Sequence, residues 1–93
     1  MALIVKKFGG SSVATPDKIR SIVQRVLQGS QPDDKIVIVV SAMGKSTDKL
    51  IELASQITSK TYGREMDMLL STGEQVSIAL MAMAFQAAGH KSI

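Results

Sequence analysis

Cysteine and tryptophan are missing from this chain altogether, and proline occurs only twice. Without cysteine there is no disulfide framework and no thiolate metal site, which fits a reducing compartment. Aromatic residues make up only 3% of the chain, and basic residues never form a run. Sequence-tolerant single-strand binding relies on stacking aromatics in a basic groove, so nucleic-acid binding is not expected. The apolar residues before Lys6 and Lys7 fall short of the roughly 7–15 needed for a signal-peptide core. No apolar run reads as the ~18 residues of a membrane span. The expectation is a cytoplasmic chain with no membrane partner.

What is present suits a folded domain. Hydrophobic residues make up 45% of the 93, and the formal charge is a modest +3. A chain of this size buries roughly 60–65% of its unfolded surface, enough for one modest core. One domain, or part of one, is expected.

Two short runs rich in β-branched residues read as strands: residues 2–6, and Lys35-Ile36-Val37-Ile38-Val39-Val40. Their continuous apolar character predicts burial on both faces, as in a parallel sheet covered by helices. Between them, Thr15 is a good N-cap and Pro16 suits the first helical position. Ile19, Ile22, Val23, Val26 and Leu27 recur at helical spacing, and Gly29 ends that helix. After the second strand, Thr47 is expected to cap a helix carrying Leu50, Ile51, Leu53, Ala54 and Ile57. Residues 59–64 read as a polar connection, and residues 65–70 as a short helix. Ser71-Thr72-Gly73-Glu74 has the form of a capping box that opens a separate long helix ending at Gly89. His90-Lys91-Ser92-Ile93 reads as the approach to another strand. The pattern predicts an α/β fold with a parallel sheet and right-handed crossovers.

In open α/β sheets, ligands bind at the carboxyl ends of the strands. The loop Lys7-Phe8-Gly9-Gly10-Ser11-Ser12 leaves one such end. Its paired glycines let consecutive backbone N–H groups approach an anion, and Lys7 adds a charge suited to a transferring phosphoryl group. Taken alone, a tight turn beside a solvated lysine explains the same residues slightly better. The second loop, Ser41-Ala42-Met43-Gly44-Lys45-Ser46, is no P-loop, because Val39 occupies the position where the first glycine of that motif belongs. It leaves the hydroxyls of Ser41, Ser46 and Thr47 around a flexible glycine, an arrangement suited to a carboxylate. Capping by Thr47 would account for the same hydroxyl. Glu74 in a first helical turn is favoured by about 0.3–1 kcal/mol from the helix dipole alone. In a crevice it would also suit a substrate ammonium. His90 reads as a surface residue. Met66, Met68, Met81 and Met83 read as fillers of core gaps.

Taken together, the segments resemble the amino-acid kinase family. Lys7-Phe8-Gly9-Gly10-Ser11-Ser12-Val13 is similar to its opening signature, and Val40-Ser41-Ala42-Met43-Gly44 to its second loop. The segment from Arg64 to Glu74 resembles the third, in the form characteristic of the aspartate kinase branch. The resemblance implies the parallel-sheet sandwich of that family, with residues 1–93 as the N-terminal part of a catalytic domain and regulatory domains absent. It implies ATP-dependent phosphorylation of the side-chain carboxylate of L-aspartate, on the route to lysine, threonine, methionine and isoleucine. Lys7 would stabilise the moving phosphoryl group, with Phe8, Gly9, Gly10 and Ser11 around the phosphates. Ser41 and Thr47 would contact aspartate near its carboxylates, and Glu74 would hold its α-ammonium. Magnesium would accompany ATP, with no metal ligand assigned to the chain. Ser11 and Ser46 stand where many relatives carry threonine, and the hydroxyl is kept.

Members of the family have a kinase domain more than twice this size. The catalytic aspartate, a second phosphate-binding lysine and the nucleoside pocket belong to their later segments, so little or no turnover is expected from the chain alone. Uncovered sheet edge and apolar helix faces make self-association the expectation. The competing readings are a sibling kinase acting on glutamate, acetylglutamate or a nucleotide, and a non-catalytic module that binds an anion or a partner.

Overall fold

Both β-branched runs form strands, and they pair with each other. The computed structural model describes residues 1–93. The elements are β1 (Leu3–Phe8), α1 (Pro16–Gln28), β2 (Lys35–Val40), α2 (Ser46–Ile57) and α3 (Arg64–Ala87). The strands are parallel and in register from Leu3 opposite Lys35 to Phe8 opposite Val40. The turn before β2 pins the start of the sheet. Asp34 accepts from the amides of Ala2 and Gln31, and the amide of Lys35 donates to the carbonyl of Ala2 at 2.8 Å.

α1 follows its sequence signals. Thr15 is extended, and its Oγ1 accepts from the amide of Lys18 at 3.3 Å, with Pro16 opening the helix. Ile19, Ile22, Val23 and Val26 are buried together with Val13, Met81 and Phe85. Burying a side chain such as Ile22 contributes about 1.5–3 kcal/mol. Gly29 follows the last helical residue at φ −90°, so this end uses an ordinary bond to the carbonyl of Arg25 rather than a left-handed turn.

Four expectations need correction. The sheet is not buried on both faces. Ile36, Ile38, Val40 and Phe8 pack under the helices, while Leu3, Val5, Val37 and Val39 stay exposed on the opposite face. α1 and α3 pack against each other over the same side, α2 packs on α3, and no element covers the other side. The radius of gyration, 15.5 Å, exceeds the about 12 Å of a closed domain of this length, in keeping with an elongated shape of 50 × 24 × 17 Å.

The second correction concerns Thr47. It lies inside the first turn of α2, behind Lys45 at the cap position, and no side chain caps this end. The third concerns Ser71-Thr72-Gly73-Glu74, which opens no new helix. α3 runs unbroken through it for 24 residues. The hydroxyl of Ser71 donates to the carbonyl of Met68 and that of Thr72 to the carbonyl of Leu69, so both groups are satisfied within the helix. The continuous α3 is long and apolar enough, by length and composition, to cross a bilayer. Here it packs against α1, α2 and β2. Residues 90–93, read as the approach to a strand, carry no strand themselves. Gly89 ends α3 as expected, at φ +90°, with the amide of His90 returning to the carbonyl of Phe85. The last correction concerns the methionines expected to fill core gaps: Met66 and Met81 are buried, whereas Met68 and Met83 are exposed.

Candidate functional site

Parallel pairing places the carboxyl ends of β1 and β2 side by side, so the loops that follow leave from one edge. The amide of Ser41 donates to the carbonyl of Phe8 at 3.2 Å, extending the ladder by one bond. The amide of Gly44 donates to the carbonyl of Gly10 at 2.9 Å and ties the two loops together. Gly44 has φ +51°, a left-handed conformation in which a side chain is strained. Gly10 is required for a different reason. A Cβ there would stand 2.8 Å from the carbonyl oxygen of Ala42, too close for any side chain.

The first loop is polarised. Three consecutive carbonyls are engaged: Gly9 accepts from the amide of Ser12, Gly10 from the amide of Gly44, and Ser11 from Lys18 Nζ at 3.0 Å. The amides of Gly9, Gly10 and Ser11 donate to nothing within the chain. A loop with its carbonyls held and three consecutive donors free has the polarity of an anion-binding nest. The bond from Ser12 to Gly9 also closes a four-residue turn, which by itself leaves the amides of Gly10 and Ser11 free.

The third segment reaches the same place through α3. A Cβ on Gly73 would lie 3.2 Å from the Cβ of Ala42, 3.5 Å from Leu50 Cδ1 and 3.9 Å from the Cβ of Ser46. The three segments singled out in the sequence thus meet around one buried residue, Ala42, which is 5% exposed. Glu74, next to that contact, is exposed and has no ion-pair partner. Ser41 is half-buried at the end of β2, and Thr47 is exposed in the first turn of α2. Lys7 is exposed and unpaired, and alternation places it on the open face of the sheet with Val5 and, across the ladder, Val39. Phe8 packs its ring on the core, and its carbonyl is what it offers to the loops. A cavity of about 870 Å³ lies at the far end of α2 among Leu53, Ile57, Tyr62, Met66 and Leu69, and none of the candidate residues lines it.

The sequence matches the model of the amino acid kinase family over residues 2–93. The chain belongs to the amino acid kinase family. Within the family it is similar to the aspartokinase of Geobacillus stearothermophilus, with 53% identity over the whole of this chain and 23% of that protein. Aspartokinase 2 of Bacillus subtilis is 50% identical over the same shares. A crystal structure of aspartate kinase from Synechocystis superposes with a TM-score of 0.92 at 55% identity, covering 98% of this chain and 16% of that one. The chain therefore spans about a quarter or less of the length of these kinases, and its α/β fold is that of the family.

For an amino acid kinase, the residues that sequence reasoning passed over are Lys18, Ala42 and Gly73. Gly73 reads in the sequence only as part of a capping box. The available signal was the glycine itself, since one inside a continuous helix calls for a packing reason.

Proposed function

We propose that residues 1–93 are the N-terminal part of an aspartate kinase catalytic domain, contributing its phosphate-binding and aspartate-binding loops. The observation that carries this reading is the polarity of the first loop, found in a chain about half identical to several aspartokinases. Free amides at Gly9, Gly10 and Ser11 suit the oxygens of a triphosphate. Magnesium in this reading travels with those phosphates, as is usual for an ion that keeps most of its water and binds few protein ligands.

The reaction is transfer of the terminal phosphoryl group of ATP. A side-chain carboxylate oxygen of L-aspartate forms a bond to the γ-phosphorus, the bond to the β–γ bridging oxygen breaks, and ADP leaves with that electron pair. The product is 4-phospho-L-aspartate, and the chemistry asks of the protein mainly positioning and charge stabilisation. Lys7 neutralises charge on the moving group. Ser41 and Thr47 donate to carboxylate oxygens of aspartate. Glu74 holds the α-ammonium, a task that its lack of an ion-pair partner leaves it free to perform. A cytoplasmic location and entry to lysine, threonine, methionine and isoleucine synthesis follow from the same reading. So does self-association through the open apolar faces.

The test uses the full-length protein, meaning the polypeptide that carries these residues at the length of the relatives. It is incubated with ATP and magnesium plus L-aspartate, L-glutamate or N-acetyl-L-glutamate, and acyl phosphate is trapped with hydroxylamine. Hydroxamate formed with aspartate alone supports the proposal. Hydroxamate formed with another acceptor and not with aspartate overturns it in favour of a sibling kinase, and none with any acceptor overturns it in favour of a binding module.

A further inference from the structure

Gly73 sits in the interior of a 24-residue helix. A glycine there costs about 0.8–1 kcal/mol relative to alanine. The helix turns that buried position directly onto Ala42, with a Cβ-to-Cβ separation of 3.2 Å were Gly73 to carry one. On its other side Ala42 presents its carbonyl oxygen to Gly10, 2.8 Å from where a Cβ would stand. One buried residue in the second loop is therefore wedged between two glycines, one from the first loop and one from α3. The buried stripe continues along α3 through Ser77, Met81 and Phe85, so the helix is held in rotation while position 73 rests on the loop.

We propose that Gly73 and Ala42 are positioning residues that set the separation between α3 and the second loop, and with it the fit of Glu74 and Ser41 to a short amino dicarboxylate. The proposal rests on the aspartate kinase reading and adds to it the device that holds the aspartate-binding groups at their spacing. Glu74 follows Gly73 directly, and Ser41 precedes Ala42. A methyl group added at 73 must push either the helix or the loop by a few tenths of an ångström. Either movement changes the placement of Glu74 relative to Ser41, which are the chain neighbours of the two contacting residues.

The experiment is a double-substitution cycle in the full-length protein: wild type, Gly73→Ala, Ala42→Gly, and both together. The readouts are the aspartate KM and the melting temperature. Gly73→Ala is expected to raise the aspartate KM about fivefold or more, the scale of coupling between residues in contact. Ala42→Gly makes room for the new methyl group, so the double variant is expected to return to within about twofold of Ala42→Gly alone. Should Gly73→Ala fail to fold, recovery of a folded protein by Ala42→Gly supports the contact, and no recovery overturns it. A Gly73→Ala enzyme with wild-type aspartate KM overturns the proposal, as does a double variant that keeps the whole increase. Wild-type protein without aspartate-dependent ADP release sinks the kinase reading instead, and the melting temperatures of the cycle still report on the contact.

Discussion

The backbone amide of Gly44 donates to the carbonyl of Gly10 across 2.9 Å, so two loops that leave different strands are bonded to each other at their glycines. The bond holds the Gly10 carbonyl, while Ser12 and Lys18 hold those of Gly9 and Ser11. A parallel pair of strands makes this possible, because both loops start from one edge. The chemistry ascribed to the loops depends on their being held in this way.

Gly9 and Gly10 should therefore respond differently to a methyl group. A Cβ at Gly10 meets the carbonyl of Ala42 at 2.8 Å, whereas one at Gly9 meets nothing within 4 Å. Gly10→Ala is expected to cost about 1–3 kcal/mol through overpacking. Gly9→Ala is expected to stay within about 0.5 kcal/mol. Thermal unfolding of the two variants in the full-length protein measures the difference. Equal melting temperatures would mean that the loops are not packed as described.

Ser77 carries the opposite expectation. Its side chain is 1% exposed, and its Oγ has no hydrogen-bond partner. A buried hydroxyl without a partner costs about 1–3 kcal/mol. Ser77→Ala removes that cost and improves helix propensity. The variant is expected to be as stable as the parent or more so by about 1 kcal/mol, seen as an unchanged or raised melting temperature. A marked fall would show that the hydroxyl has a partner in solution.

The open face of the sheet should make the 93-residue chain associate with itself. Leu3 is 71% exposed, Val5 64%, Val37 47% and Val39 44%, all on the side no helix covers. A contiguous apolar face of this kind marks an interaction surface. Sedimentation velocity is expected to show concentration-dependent oligomers that weaken in a Val5→Thr, Val37→Thr variant. A clean monomer at high concentration would contradict this.

Much of the fold was legible in the sequence because its signals were local. The β-branched run from Lys35 to Val40 marks β2 to the residue, and Thr15-Pro16 marks the start of α1. The misreadings arise where a local pattern does not by itself decide the structure. Ser71 and Glu74 have the spacing of a capping box, but the Ser71 hydroxyl bonds back to Met68 and α3 continues. The apolar runs of β1 and β2 do report a need for burial on two faces, yet nothing in these 93 residues supplies the second cover. Relatives about four times as long have more chain available for that purpose. Convergence of the three segments was open to suspicion from topology. The contacts that achieve it, Gly10 and Gly73 on Ala42, arise only from packing.

The central claim is that these loops divide the work, with Lys7 serving the phosphoryl group and Glu74 the aspartate ammonium. The direct test is steady-state, aspartate-dependent ADP release by the full-length protein, comparing wild type with Lys7→Ala and Glu74→Ala. Lys7→Ala is expected to lower kcat by about 100-fold or more with a modest change in aspartate KM, as for loss of a charge that stabilises the transition state. Glu74→Ala is expected to raise the aspartate KM by about tenfold or more, the scale of a lost charge-assisted bond. If both variants turn over like wild type, the loops are only caps and turns, and the proposed mechanism is wrong.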